Sequence, residues 1–175
     1  HGTGSNNQPY GIASYTGVNT TGVAGGTDGL APALAHIVGL ETLVAAGNAD
    51  INKLGYLTNS KVRGKLKQTF ANTTGGDTPL WTKGEGPGWG ELNGYRAGVS
   101  NQVSSTLTKG NSSGVCSAIF FGNWDDLVIG MWGPVELLID PFSLSTSGWV
   151  RVVAHQAVDI GIRQVASFAV MLDAL

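Results

Sequence analysis

The chain has 175 residues, enough for one domain that buries roughly two thirds of its unfolded surface. Hydrophobic residues make up 42% and charged residues only 13%, a profile of turns and polar loops rather than of salt-bridged helical surfaces. The net charge of −2 gives no overall field favouring nucleic acid or an anionic membrane, and the single cysteine, Cys116, excludes an internal disulfide framework and a cysteine-rich zinc site.

In chain order, residues 1–26 are rich in Gly, Asn and Thr without periodicity, which predicts loop with one short strand. Thr27 or Asp28 is placed to cap a helix whose apolar positions Leu30, Leu34, Ile37, Val38 and Leu43 follow helical spacing, with Gly47 as its stop. A strand over 54–57 leads to Asn59 or Ser60 as a second cap. The following helix sets Val62, Leu66 and Phe70 on one side and Lys61, Arg63, Lys65 and Lys67 on the other, a solvated basic face. Residues 72–94, NTTGGDTPLWTKGEGPGWGELNG, read as a long irregular loop, and loops of this length in a compact domain are functional or disordered. Its tryptophans, Trp81 and Trp89, are expected to be exposed contact residues.

From residue 97 the pattern turns to strands, over 99–103, 117–121, 127–132 and 135–139. The run 150–163, VRVVAHQAVDIGIR, alternates apolar residues with Arg151, His155, Asp159 and Arg163, which predicts a long strand with one buried and one polar side. Helices first and strands later place the chain in the α+β class.

Catalytic motifs do not assemble. Gly2 and Gly4 are followed by Asn7 where a dinucleotide fingerprint needs its third glycine, and Gln8-Pro9 replaces the helix. GEGPGWG, at 84–90, is interrupted by Pro87 and Trp89, and Gly64-Lys65 has no glycine at the phosphate-loop spacing. His1, His36 and His155 have no metal-ligand spacing. Cys116 opens an apolar run and reads as a buried small hydrophobe, although a Cys116–His155 dyad stays open on sequence grounds. Asp125 and Asp126 are adjacent between two apolar strands, so turn chemistry explains them better than a glycosidase pair drawn with Glu136 and Asp140. No catalytic, cofactor or metal residue is assigned. Sequons at Asn19, Asn72 and Asn111, with Trp81 and Trp89, leave a secreted carbohydrate-binding β-domain as a rival reading.

The second half, GVCSAIFFGNWDDLVIGMWGPVELLIDPFSLSTSGWVRVVAHQAVDIGIRQVASFAVM, resembles the C-terminal region of the tailed-phage major capsid protein family, of the Hong Kong 97 or Johnson fold. The resemblance rests on the turn Phe121-Gly122-Asn123-Trp124, the two strands after it, the polar loop, and the long strand with Asp159 and Arg163 ending in Ser167-Phe168-Ala169. Upstream, LNGYRAGVSNQV (92–103) and LGYLTNSKVRGKLKQ (54–68) are similar to family segments, and GTGSNNQPYGI resembles the turn after the family's long spine helix. The resemblance implies residues 1–26 as linker and lead-in strand, 27–145 as the axial (A) domain and 146–175 as the strand returning to the peripheral (P) domain. The spine helix and E-loop would lie before His1, so a processed or trimmed piece of a longer polypeptide is expected. Where a crosslinking asparagine would fall, at 149–153, there is none.

The resemblance further implies a non-enzymatic shell subunit, without cofactor, that forms pentamers and hexamers with its own copies in the virion. Scaffold, maturation protease and portal are the implied partners, with packaged DNA touched only non-specifically, no membrane, and assembly in the host cytoplasm. Trp81, Trp89, Phe142 and Trp149 are the expected subunit-contact residues. An encapsulin-like nanocompartment shell is the alternative on the same fold.

Overall fold

The computed structural model describes residues 2–21, 27–51, 53–71, 78–84, 86 and 88–175. In chain order the elements are β1 (Asn19–Thr21), α1 (Leu34–Ala46), β2 (Leu54–Thr58), α2 (Ser60–Leu66), β3 (Trp81–Lys83), β4 (Trp89–Leu92) and β5 (Tyr95–Val99). They continue with β6 (Leu107–Lys109), β7 (Ser112–Asn123), β8 (Leu127–Asp140), β9 (Arg151–Ile162) and β10 (Phe168–Ala174). Strands dominate and the two helices come early, in keeping with the expected α+β class.

An eight-stranded sheet forms the body in the order β1-β10-β7-β2-β5-β4-β3, with β6 added on β7. An uninterrupted apolar run suits a strand covered on both sides, and 116–121 supplies one at the centre. Ile119 and Phe121 enter one core layer beneath α1 and α2, with Ile37, Leu40, Val62 and Leu66. Ala118 and Phe120 enter a second layer with Val170 and Val103, closed by Ile12, Val18 and Leu107.

The first helix starts later than its sequence spacing implies. Leu30 is held extended in a parallel bridge to Ala174, with the Leu175 N–H donating to its carbonyl at 3.0 Å. The Asp28 carboxylate is taken up by the Asn111 N–H at 2.8 Å, so neither Thr27 nor Asp28 caps α1. Instead His36 Nδ1 accepts the Ala33 N–H at 2.9 Å, half of a capping box. Gly47 caps the other end, and the left-handed Asn48 turns the chain away. The second cap is as expected: Asn59 Oδ1 accepts the Val62 N–H at 2.9 Å, and its Nδ2 ties back to the Ser104 carbonyl at 3.0 Å. Phe70, however, lies past the end of α2 and is exposed.

Of the loop expected over 72–94, residues 72–77, 85 and 87 lie outside the described residues, and the rest is not one loop. β3 and β4 pair antiparallel, and β4 joins β5 through Asn93-Gly94, both at positive φ. Asn-Gly is the favoured two-residue hairpin turn. The strand expected over 99–103 therefore ends at Val99, and 100–103 turns, with the Val103 N–H donating to the Ser100 carbonyl at 3.1 Å.

GTGSNNQPYGI is itself a hairpin. Thr3 bridges Tyr10, and the Gln8 N–H closes a turn onto the Ser5 carbonyl at 3.2 Å around Asn6 and Asn7, both at positive φ. Only a single 3-10 turn, Ile12–Ser14, follows, too short to supply the N-terminus of an α-helix to a phosphate.

The strands expected at 127–132 and 135–139 merge into β8, which pairs with β9 alone as a two-stranded ribbon. Between the pairs Trp132–Ala157 and Glu136–His155, β8 holds three residues against one on β9. Gly133 takes a positive φ at this bulge. Pro134, which lacks an N–H, is tolerated because the ribbon has open edges. The division expected between 145 and 146 falls in the ribbon's turn. The two sheets divide at 126/127 and 162/163, and β10 returns to the body. Among the described residues no helix is long and apolar enough to cross a membrane.

Candidate assembly surface

Where the ribbon leaves the body, one carboxylate gathers both of its ends. Asp126 precedes β8 and is 4% exposed. Its Oδ1 accepts from Arg163 Nε and Nη2 at 3.0 and 2.7 Å, just after β9. Its Oδ2 accepts from Ser167 Oγ at 2.5 Å and Asn123 Nδ2 at 3.2 Å, and its carbonyl accepts the Arg163 N–H at 2.9 Å. The Ser167 hydroxyl foremost, then Arg163 and Asn123, hold the Asp126 carboxyl below the ordinary aspartate range against the opposing effect of burial. Tyr15 adds a hydrogen bond from its hydroxyl to the Ile160 carbonyl. The root is thus fixed to the body at two points.

Residues directly opposite in an antiparallel ladder share a side, so the register sorts the ribbon into two unlike surfaces. One carries the pairs Leu127–Ile162, Ile129–Ile160, Met131–Val158, Leu137–Ala154 and Ile139–Val152. Every paired position on it is apolar. The other carries Glu136–His155 and Asp140–Arg151, opposite charges or a potential one set face to face, alternating with Trp132–Ala157 and Leu138–Val153. The alternation read from 150–163 is real, but the burial expected for its apolar side is not supplied by the described residues. Ile129, Met131, Leu137, Ile139 and Val152 are all exposed.

The ribbon's turn is stiffened locally. Asp140 Oδ1 accepts the N–H groups of Phe142 at 2.9 Å and Ser143 at 3.2 Å, and the Ser143 side chain foremost, then these two N–H groups, lower the Asp140 carboxyl. The turn presents Phe142, 84% exposed, and Trp149, 70% exposed. Trp89 is 49% exposed on β4, with the Arg96 guanidinium 4.0 Å from its ring centre.

Trp81 is a correction. It is 3% exposed, in the core, because a β-carbon on the neighbouring Gly90 would lie 2.3 Å from its indole nitrogen, and only glycine leaves that space. It offers no contact surface.

The groups weighed for chemistry are dispersed. Cys116 is buried on β7 in the main sheet, whereas His155 lies on the ribbon. Asp125 pairs with Lys53 at 3.3 Å, and Asp126 is occupied at the root. Among the described residues no three His, Cys, Asp or Glu side chains are grouped to hold a metal. Of the sequons, Asn19 donates to the Ala166 carbonyl at 3.3 Å and Asn111 to Asp28 at 3.3 Å, so both side-chain amides are engaged; Asn72 lies outside the described residues. Sequence reasoning missed the Asp126–Arg163 clamp. The Asp-Asp pair was visible, but nothing local marks which carboxylate meets a residue 37 positions away.

One side of the ribbon is apolar at every paired position, with Gln156 the polar residue among them opposite the bulge. The model of the phage capsid family matches residues 1–172. The chain belongs to the phage capsid family. A major capsid protein of Halomonas phage phiHAP-1 is 32% identical over 172 residues, which are 97% of this chain and 24% of that protein.

The Hong Kong 97-type fold is shared with the capsid of an empty GTA particle, at TM-score 0.64 and 19% identity over 95% of this chain and 57% of that one. It is shared as well with Mycobacterium phage Ogopogo, at TM-score 0.58 and 19% identity over 95% of this chain and 56% of that one. The SrpI encapsulin of Synechococcus elongatus PCC 7942 has the same fold, at TM-score 0.62 and 14% identity over 94% of this chain and 56% of that one. This phage capsid family chain thus spans about a quarter of the curated relative and just over half of the solved structures.

Proposed function

We propose that this chain is the shell-forming part of a structural, non-enzymatic subunit of a phage or prophage capsid, which assembles with its own copies into pentamers and hexamers around the DNA genome. The observation that carries the reading is the apolar side of the β8–β9 ribbon. An isolated two-stranded ribbon is marginally stable in water, and a large exposed apolar patch marks an interaction surface. The body serves as the axial (A) domain and the ribbon as part of the peripheral (P) domain. Phe142 and Trp149 at the ribbon's turn, and Trp89 on the body, serve as contact residues between copies. The charge-laced side of the ribbon tolerates the small angular differences between five-fold and six-fold contacts.

Such a subunit works in the virion after assembly in the host cytoplasm, alongside scaffold, maturation protease and portal proteins. The encapsulin-like alternative draws on a likeness of fold alone, whereas the phage relative is similar in sequence over nearly the whole chain.

Negative-stain electron microscopy of the full open reading frame, expressed with and without its neighbouring genes, tests the reading. Uniform closed particles containing DNA are expected. Particles filled with a protein cargo support the nanocompartment instead, and soluble monomers in both expressions overturn the shell function.

A further inference from the structure

The net charge of −2 conceals a segregation. Residues 53–89 hold six lysines and arginines against two acids, a net +4, so the remaining residues together carry −6. Asymmetry of this kind marks a polyanion contact more surely than the total does. The structure then concentrates it. Arg63 on α2, Lys67 just past its end and Lys83 at the end of β3 line one cleft of about 480 Å³ with Trp81, Trp89 and two glycines.

Among the described residues no carboxylate lines this cleft. Arg63 is already engaged, but neither Lys67 nor Lys83 is in an ion pair with a described residue. Arg63 and Lys67 stand four apart, on the side of α2 and its end that faces the cleft. Arg63 and Lys67 come from α2 and its end and Lys83 from β3, so the cations form a tract rather than a single point. A tract fits a ligand with a repeating negative charge. Half-exposed Trp89 at the rim adds an aromatic face for the sugar and base edges that accompany phosphates.

We infer that this cleft binds the phosphodiester backbone of DNA, with Lys67 and Lys83 as the principal phosphate contacts. The inference rests on the capsid reading, which brings DNA against the subunit, but its test does not need assembly. Fluorescence anisotropy with a short labelled DNA duplex is measured over a series of salt concentrations. With Lys67 and Lys83 engaged, log K should fall against log salt with a slope of about −2. In the double variant Lys67→Gln/Lys83→Gln the slope should shrink by about 2. Lys109→Gln, on β6 and away from the cleft, should leave the slope near the unsubstituted value. Both cleft lysines are exposed, so the variant should melt at the unsubstituted temperature.

Three results overturn the inference: no salt-dependent DNA binding, a slope unchanged in the double variant, or an equal loss in Lys109→Gln. A fourth does so as well: salt-sensitive self-association lost in the double variant without DNA binding, which would assign the cleft to an acidic segment of a second copy. Particle formation by the full-length protein is scored separately. Particles without a DNA slope sink the cleft alone, and a DNA slope without particles sinks only the capsid reading.

Discussion

Arg163 grips Asp126 across the root of the ribbon, its Nη2 2.7 Å and its Nε 3.0 Å from the same carboxylate oxygen. The second oxygen is shared by Ser167 and Asn123. One buried carboxylate therefore joins the end of β7, the start of β8, the end of β9 and the approach to β10. Asp126→Asn keeps the shape but loses the charge that all three donors face. It should lower stability by roughly 2–3 kcal/mol, the range for hydrogen bonds to a charged group. Arg163→Ala should cost less, about 1 kcal/mol or below, since its side chain is 69% exposed and solvent screens it. Urea denaturation compares them. An Asp126→Asn protein as stable as the unsubstituted one would remove the clamp from the account of the fold.

The same carboxyl sets an acid limit. Its folded-state pKa lies below the ordinary value, chiefly through the Ser167 hydroxyl and then Arg163. A depressed folded pKa gives stability that is complete above the unfolded value, about 3.9 for aspartate, and is lost as pH falls through the folded value. Stability should hold at neutral pH and decline below about pH 4. Thermal melting across that range should show a shallower decline for Ser167→Ala and the shallowest for Asp126→Asn. Equal acid sensitivity in all three proteins would place the effect in other carboxylates.

Gly90 and Trp81 make a second coupled pair. A methyl group at Gly90 would have to displace a buried indole, and overpacking of this kind costs about 1–3 kcal/mol. Gly90→Ala should therefore melt earlier and move Trp81 emission to the red. Gly88→Ala is the control, because among the described residues beyond its chain neighbours no atom lies within 4 Å of the place its methyl group would take. Unchanged emission in Gly90→Ala would show that the sheet relaxes around the added carbon.

These positions explain what was legible in the sequence. Runs that carry their own chemistry were readable: the Asn59 cap, the Gly47 stop, the apolar strand at 117–121 and the alternation over 150–163. The Asn93-Gly94 turn was readable too, but glycine density across 72–94 masked the hairpin on either side of it. What stayed hidden depends on partners distant in sequence. Trp81 is buried because Gly90 lies beside it, not because of its own neighbours. Asp28 fails to cap α1 because Asn111, 83 residues on, claims its carboxylate. The exposure of the ribbon was hidden for another reason. Alternation shows which side is apolar but not whether this chain covers it.

That apolar side is the most direct test of the assembly surface. Leu137 and Ile139 lie on it next to Ala154 and Val152, and both are exposed. Replacing both with glutamate should hardly alter the melting of the body, since surface changes away from packed features stay within about 0.5 kcal/mol. It should nevertheless abolish assembly, because covering the ribbon would then desolvate two charges without partners, each at a cost of several kcal/mol. Glu136→Gln, on the opposite side, removes one rim charge facing His155 and should weaken assembly only slightly. Sedimentation velocity and electron microscopy of the full-length protein read the difference. Closed particles from the Leu137→Glu/Ile139→Glu protein would mean that this side remains in solvent, and the assembly surface would have to be sought at Phe142, Trp149 and the charge-laced side instead.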